Sequence, residues 1–292
     1  MKIAVCILNS PRAIDYAIPT IYENIIDHLD ADVFCMFTIG EHNDDLDRIS
    51  RVKKRVIEKQ FWNPKELISF LPKIFWDTHI KFAQSFFEDK YNNYLSPIYV
   101  SKNSTCHRWF GLPPRYTVFK LLKMMNKYID QYDYFILLRS DLYFLFPLIN
   151  RDIIKNNKKY ILNYDTHDFQ GINAELLIMS RENFIKWTEQ IKYFTKKIYI
   201  EQLIECMKNL KTTKHAEVCT KCIVDIEQFR IKSISTNSFI IRDNITEKLD
   251  KNSISKYYKH DHYFDAIREF ELWNSGYRWL DSEQKINLDS VQ

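Results

Sequence analysis

The sequence predicts an α/β fold with a mixed, mainly parallel sheet that is flanked by helices. Short apolar runs alternate along the chain with stretches in which apolar residues recur at helical spacing. The first forty residues follow the order strand, helix, strand, which predicts a βαβ unit with two parallel strands. The five apolar residues of 134–138 do not alternate with polar ones, which predicts a central strand buried on both faces.

The composition favours a compact protein that binds small anions. The chain has 292 residues, of which 46% are hydrophobic and 15% aromatic, so general disorder is excluded. The 42 basic and 38 acidic residues are spread along the chain, which favours an anionic small molecule over nucleic acid as a partner. The longest apolar run, 142–149, is too short to span a membrane, and the amino terminus has no leader pattern. We therefore expect a soluble, cytoplasmic protein.

Local patterns predict the individual elements. A continuous apolar run at 3–8 predicts the first strand, which Asn9, Ser10 and Pro11 end. Isoleucines repeat at helical spacing over 14–25 and predict a helix. The other predicted strands are 33–39, 55–59, 134–138, 160–163 and 176–180, with 231–235 and 239–241 as a closing pair. The other predicted helices are 65–71, 80–87, 115–129, 182–194, 200–210 and 216–229.

Charged side chains follow two of the predicted strands. Arg139 and Asp141 come at the carboxyl end of the predicted central strand, where open α/β sheets bind their ligands. Ser10 and Arg12 follow the first strand at the start of a helix, where backbone N–H groups favour anions. The sequence thus predicts an anion site and its metal. The alternatives are a structural ion pair for Arg139 with Asp141, and an exposed arginine for Arg12.

Missing motifs exclude several classes of enzyme. The four glycines lie far apart in the sequence, so it contains neither a dinucleotide-binding fingerprint nor a phosphate-binding P-loop. The GxSxG elbow, the HExxH helix and the kinase signatures are absent as well. Cys219 and Cys222 form an isolated CxxC within a helical pattern, which favours a helix face over a zinc or redox site.

The order of the motifs resembles the GT-A-fold glycosyltransferases, which are Rossmann-like. The likeness lies in the segments "YDYFILLRSDLYF", "GINAELLIMSRENF" and "HAEV…IIRDN", which follow the first two strands in that order. More narrowly, the chain is similar to polysaccharide and lipopolysaccharide transferases with an R-x-D-L signature, including relatives encoded by large DNA viruses. The resemblance spans about residues 1–245 and implies a GT-A domain there. Residues 246–292 would form a C-terminal tail or lid.

The resemblance implies a metal and nucleotide site. The family's DxD motif maps to Arg139, Ser140 and Asp141, so the first acidic position is an arginine here. Asp141 would hold Mn²⁺ or Mg²⁺ together with phosphate oxygens of the substrate. Arg139 would pair with the diphosphate or orient Asp141. Arg12 together with Ser10 would contact the nucleotide, and His262 in the tail would complete the metal site unless it is a surface histidine.

The resemblance also implies a catalytic carboxylate that removes the proton of the acceptor hydroxyl. In the family this base falls in a GxxD segment, but this chain has Ala174 at the acidic position after Gly171. Glu175 follows directly and is the first candidate, provided that Ala174 still lies in the loop. Asp168 is the second candidate, and a base elsewhere in the chain is the remaining possibility.

The activity implied by the resemblance is a metal-dependent, inverting transfer of a sugar from a nucleoside-diphosphate sugar to a glycan acceptor. The alternative is a catalytically inactive nucleotide-sugar or carbohydrate-binding module, which the replaced acidic positions 139 and 174 favour. A nucleic-acid binder is disfavoured because acidic residues interrupt the basic ones.

Overall fold

The computed structural model describes residues 1–11, 13–39, 44–63, 66, 112–164, 175–209, 216–234, 238–240, 277–279 and 285–287. The strands are β1 (Ile3–Asn9), β2 (Asp32–Thr38), β3 (Val56–Trp62), β4 (Tyr134–Arg139), β5 (Leu142–Phe144), β6 (Ile161–Tyr164), β7 (Leu176–Ser180), β8 (Ile231–Ile234), β9 (Ser238–Ile240), β10 (Tyr277–Trp279) and β11 (Lys285–Asn287). The helices are α1 (Ile14–Ile21), α2 (Asp44–Ser50), α3 (Leu112–Met125), α4 (Arg151–Asn156), α5 (Arg181–Thr188), α6 (Lys192–Thr195), α7 (Lys197–Asn209) and α8 (Ala216–Glu227). A π-helical segment, Tyr22–Asp27, continues α1.

Seven strands form the main sheet, in the order β3-β2-β1-β4-β7-β6-β8. β1 pairs in parallel with β2 and β4, whereas β7 runs antiparallel to both β4 and β6. The predicted α/β class with a mixed, mainly parallel sheet is therefore confirmed. The chain proceeds from β1 outward to β3 and then returns to β4 on the other side of β1. This reversal makes the gap between β1 and β4 the topological switch point, where open α/β sheets bind ligands.

The central strand β4 is buried on both faces, as its unbroken apolar run predicts. Ile136 and Leu138 point into the core that α1 covers, and Phe135 and Leu137 point into the core that α3 and α5 cover. The ring of Phe135 stacks on Phe184 of α5 with centroids 4.0 Å apart. Two cores thus hold β4 in place, and the residues that follow it are carried on a rigid strand.

The last predicted strands do not pair with each other. β8 pairs in parallel with β6 in the main sheet, whereas β9 pairs antiparallel with β5 in a separate two-stranded sheet. The predicted closing pair is therefore wrong. Strands of three or four residues have too few side chains for their apolar pattern to specify a partner. β5 was unpredicted for the same reason, because it lies inside a longer aromatic run.

Several predicted features fall outside the described residues. The helix at 80–87 lies wholly outside, and only residue 66 of the helix at 65–71 is described. Within the segment 246–292 the structure describes β10 and β11, which pair antiparallel with each other. Among the described residues, no helix combines the length and the apolar character that crossing a membrane requires.

Candidate functional site

The ends of β1 and β4 are joined by hydrogen bonds. The backbone N–H of Ser140 donates to the carbonyl of Leu8 at 3.0 Å, and the Ser140 hydroxyl donates to the carbonyl of Ser10. β1 ends here because Asn9 adopts a positive φ of 78°, a conformation that asparagine tolerates well, and the buried Pro11 has no N–H to donate. We call residues 8–10, 139–141 and 175 the carboxyl edge. It lies at the topological switch point.

Arg139 and Asp141 form a two-pronged ion pair at this edge. Nε of Arg139 donates to Oδ1 of Asp141 at 2.8 Å, and Nη2 donates to Oδ2 at 2.7 Å. The Arg139 side chain is 27% exposed, whereas that of Asp141 is 4% exposed. Both oxygens of the buried carboxylate therefore accept from a guanidinium that lies on its solvent side. The structure thus shows the ion pair that the sequence left open as an alternative, and the roles of Arg139 towards a diphosphate remain predictions.

A divalent metal at Asp141 does not fit the side chains that surround it. Both carboxylate oxygens already accept guanidinium hydrogen bonds, and a metal would have to replace a cation that covers them. Mg²⁺ and Mn²⁺ need several oxygen ligands, and no cluster of three or more possible ligand residues occurs in the described part of the chain. The Mn²⁺ or Mg²⁺ site implied by the resemblance thus stays a prediction that these residues do not support.

Glu175 joins the carboxyl edge from β7. Its backbone carbonyl accepts from the N–H of Arg139 at 3.1 Å, directly before β7 begins. Because β7 is antiparallel to β4, the start of β7 meets the end of β4. The side chain of Glu175 is partly exposed. The sequence candidates Ser10, Arg139, Asp141 and Glu175 are therefore brought together at one edge.

Tyr164, at the end of β6, lies close to Glu175 and was not identified from the sequence. Burial raises the pKa of Tyr164 well above its ordinary value, the hydrogen bond with Ser238 lowers it, and the nearby charge of Glu175 raises it further. The Tyr164 and Ser238 hydroxyls are 2.8 Å apart. This contact ties β9 to the main sheet beside the carboxyl edge. A sequence signal for Tyr164 exists, since it directly follows the predicted strand 160–163, but nothing in the sequence indicates Ser238 as its partner.

Three other candidates lie outside the described residues: Arg12, Asp168 and His262. Ala174, whose position in the loop bears on Glu175, lies outside as well. Their predicted roles in nucleotide binding, catalysis and metal binding remain predictions.

A cavity of about 520 Å³, part of it open to solvent, lies on the α3 face of the sheet. Its walls include Leu8, Leu137 and Leu177 from three adjacent strands and Arg115 from α3. Burial lowers the pKa of Arg115, the nearby Cys219 raises it, and Nη2 of Arg115 donates to Thr220 at 2.7 Å. Ser10, Arg139, Asp141 and Glu175 do not line this cavity. The cavity and the carboxyl edge are therefore neighbours that share Leu8 and Asn9.

The CxxC pair lies within α8 and is buried, as the helical pattern predicts. Both cysteines are free thiols, and burial is the main cause that raises their pKa values. Buried, protonated thiols are poor nucleophiles and poor metal ligands.

The sequence matches no protein-family model and no curated protein. The fold and the side chains of the carboxyl edge are therefore the basis on which a function can be inferred.

Proposed function

We propose that the protein is a GT-A-type glycosyltransferase that moves a sugar from a nucleoside-diphosphate sugar to a glycan acceptor. The observation that supports this most is the convergence of three strand ends at the topological switch point. β1 contributes Ser10, β4 contributes Arg139 and Asp141, and Glu175 precedes β7. A site of this kind offers a cation for a phosphate and a carboxylate for a proton within one crevice.

The guanidinium of Arg139 is the group at the carboxyl edge that would bind the diphosphate of the donor. The guanidinium is planar, permanently charged and partly exposed, which are the properties that favour binding to phosphate oxygens. Asp141 holds the plane of the guanidinium with two hydrogen bonds, so little side-chain freedom is lost when an anion binds. A nucleoside diphosphate is therefore the part of the donor that this edge recognises.

Glu175 is the carboxylate that we assign as the base. In an inverting transfer, the acceptor oxygen forms a bond to the anomeric carbon of the sugar while the bond from that carbon to the diphosphate oxygen breaks. The bonding electron pair leaves with the diphosphate, and the acceptor proton passes to the carboxylate. Both oxygens of Asp141 accept from Arg139, so Glu175 is the carboxylate of the described carboxyl edge that suits this step.

The test measures donor binding and turnover in the full chain. Thermal unfolding with a panel of UDP- and GDP-sugars identifies a donor, because a ligand of the native state raises the apparent stability. Release of nucleoside diphosphate then reports turnover. We expect Glu175→Gln to keep donor binding and to lower turnover by at least about 100-fold, the usual size of a general-base contribution. Glu182→Gln is the matched control, because Glu182 is an exposed glutamate in the first turn of α5, at the opposite edge of the sheet. Binding of none of the sugar nucleotides contradicts the proposal.

A second candidate function is a sugar-nucleotide-binding module without catalysis. The specific observation in its favour is that Asp141, which the resemblance gives as the metal-binding carboxylate, forms an ion pair with Arg139 in this chain. The same experiment separates the two functions. Donor binding without release of nucleoside diphosphate, with and without candidate glycan acceptors, indicates the module.

A further inference from the structure

We infer that Arg139 supplies the positive charge that the resemblance assigns to a divalent ion, and that nucleotide binding by this protein is independent of divalent metal. The inference rests on the proposed function, because it concerns how the same edge binds the donor diphosphate. It follows from the arrangement of Arg139 and Asp141 and reverses the roles that the DxD pattern gives them.

The arginine, not the aspartate, faces the ligand side of the edge. The Asp141 side chain is 4% exposed and lies beneath a guanidinium that is 27% exposed. Each Asp141 oxygen accepts a hydrogen bond of 2.7 or 2.8 Å from Arg139, so a metal at Asp141 would have to share both oxygens with the guanidinium. A divalent ion at the same place would also be repelled by the guanidinium, since both carry positive charge.

The two-pronged ion pair with Asp141 leaves the guanidinium of Arg139 able to bind phosphate. An arginine has five N–H donors, and the contacts with Asp141 use two of them, so this pairing does not exhaust its hydrogen-bonding capacity. Arginine binds phosphate in a planar, two-pronged geometry, and charge-assisted bonds of this type are among the strongest that proteins make. The guanidinium can therefore keep its carboxylate partner while its positive charge attracts a diphosphate oxygen.

Asp141 is in this view a positioning residue. Its buried carboxylate fixes the plane of the guanidinium, and Ser140 between them is fully buried and bonded to Leu8 and Ser10. The side chains at 139 and 141 meet across the turn at Ser140, as their two hydrogen bonds show. The spacing of the R-x-D motif thus lets the buried Asp141 fix the position of the Arg139 guanidinium.

The first experiment measures the affinity of UDP and GDP by calorimetry, once with EDTA and once with Mn²⁺. We expect the dissociation constant of the nucleotide that binds to agree within about twofold between the two conditions. Binding that appears only with Mn²⁺ overturns the inference while the proposed function stands. Binding of neither nucleotide, nor of any sugar nucleotide, in both conditions overturns the proposed function and the inference with it.

The second experiment separates the roles of the two side chains. We expect Arg139→Gln to weaken nucleotide binding by about 10- to 100-fold, the usual range for a lost hydrogen bond to a charged group. We expect Asp141→Asn to change it by less than about threefold, because the amide oxygen can still accept from the guanidinium. A metal site at Asp141 predicts the opposite order, so that order overturns the inference. Arg181→Gln is the control, because Arg181 pairs with Asp130 and Asp133 at the far end of β4.

The single variant Arg139→Gln leaves Asp141 as a buried charge without its arginine, which can unfold the protein. The double variant Arg139→Gln/Asp141→Asn removes both charges and nearly preserves the shape of the two side chains. It therefore tests nucleotide binding without leaving a buried, unpaired charge. We expect it to fold and to have lost nucleotide binding. Added methylguanidinium should restore part of the binding to Arg139→Ala, and added Mn²⁺ should not. Rescue by Mn²⁺ alone overturns the inference.

Discussion

The Ser140 hydroxyl donates a hydrogen bond to the backbone carbonyl of Ser10, which lies 130 positions earlier in the chain. Ser140 is fully buried, and its N–H donates to Leu8 in addition. Two bonds therefore fix the turn after β4 against the segment after β1. The relative position of Ser10 and Arg139, on which donor binding depends in our proposal, is set by this short side chain.

Replacement of Ser140 by alanine removes one of these two bonds. We expect Ser140→Ala to lower the free energy of unfolding by about 1 to 2 kcal/mol, the usual cost of a lost hydrogen bond with a buried partner. Urea unfolding followed by circular dichroism measures this. Ser50→Ala is the matched control, because the Ser50 hydroxyl donates to the Asp47 carbonyl at 2.6 Å on an exposed surface. A loss no larger than in the control contradicts a structural role of the Ser140 contact.

The Tyr164 and Ser238 hydroxyls, 2.8 Å apart in the interior, are the basis of a second prediction. We expect Tyr164→Phe and Ser238→Ala each to lower the free energy of unfolding by about 1 to 2 kcal/mol, because each leaves a buried polar group without this partner. The double variant should lose less than the sum of the two. Urea unfolding of the four proteins gives the coupling energy, which we expect to be at least about 0.5 kcal/mol. Strict additivity contradicts an energetic link between β6 and β9.

The sequence predicted the main sheet better than the small one, and the reason is physical. β1, β2 and β4 are long apolar runs, and such runs identify buried strands without knowledge of their partners. Their ends were then expected at the same edge, because parallel strands all end on one side. β5 and β9 have three residues each, too few for a periodic pattern, and nothing local in the sequence indicates that they pair with each other.

The candidate site was predictable in its members and only partly in its roles. The positions of Ser10, Arg139 and Asp141 follow from strand ends, which the sequence indicates, whereas Glu175 was proposed from the resemblance alone. The sequence does not predict that Arg139 is more exposed than Asp141, because exposure depends on how deeply each side chain lies among its neighbours. The motif alone left open whether Arg139 orients Asp141, contacts the diphosphate or forms a structural ion pair with Asp141, and the structure shows the ion pair itself.

Cysteine reactivity offers a test of the buried strands. Burial raises the pKa of Cys35 to about 12, which the charge of Lys59 opposes, and burial also raises the pKa of Cys6. Cys206 in α7 is partly exposed. We expect iodoacetamide at pH 8 to alkylate Cys206 in the folded protein, and to alkylate Cys6 and Cys35 only when the sheet unfolds. Mass spectrometry of tryptic peptides measures the rates. Equal rates for Cys35 and Cys206 contradict the burial of β2.

The pH dependence of stability should depend in part on Glu227, which ends α8 and is 12% exposed. Burial raises its pKa, but hydrogen bonds from Lys192 and Tyr193 and the charges of Lys192 and Lys186 outweigh burial, so the pKa lies below its ordinary value of 4.5. A carboxyl group with a lowered pKa in the folded state stabilises the protein above pH 4.5. This stabilisation is lost as the pH falls through the lowered value.

Glu227→Gln removes this contribution, and we expect it to lower the free energy of unfolding at pH 7 by about 1 to 3 kcal/mol. The difference from the unaltered protein should shrink as the pH falls from 4.5 through the lowered pKa of Glu227, because both proteins then carry an uncharged group at this position. Urea unfolding between pH 3 and 7 measures both. Glu189→Gln is the control, since Glu189 lies 3.6 Å from the same Lys192 amine but is 55% exposed, and we expect its loss to stay below about 0.5 kcal/mol. A difference for Glu227→Gln that does not change with pH contradicts the assignment, because a loss of packing alone does not titrate.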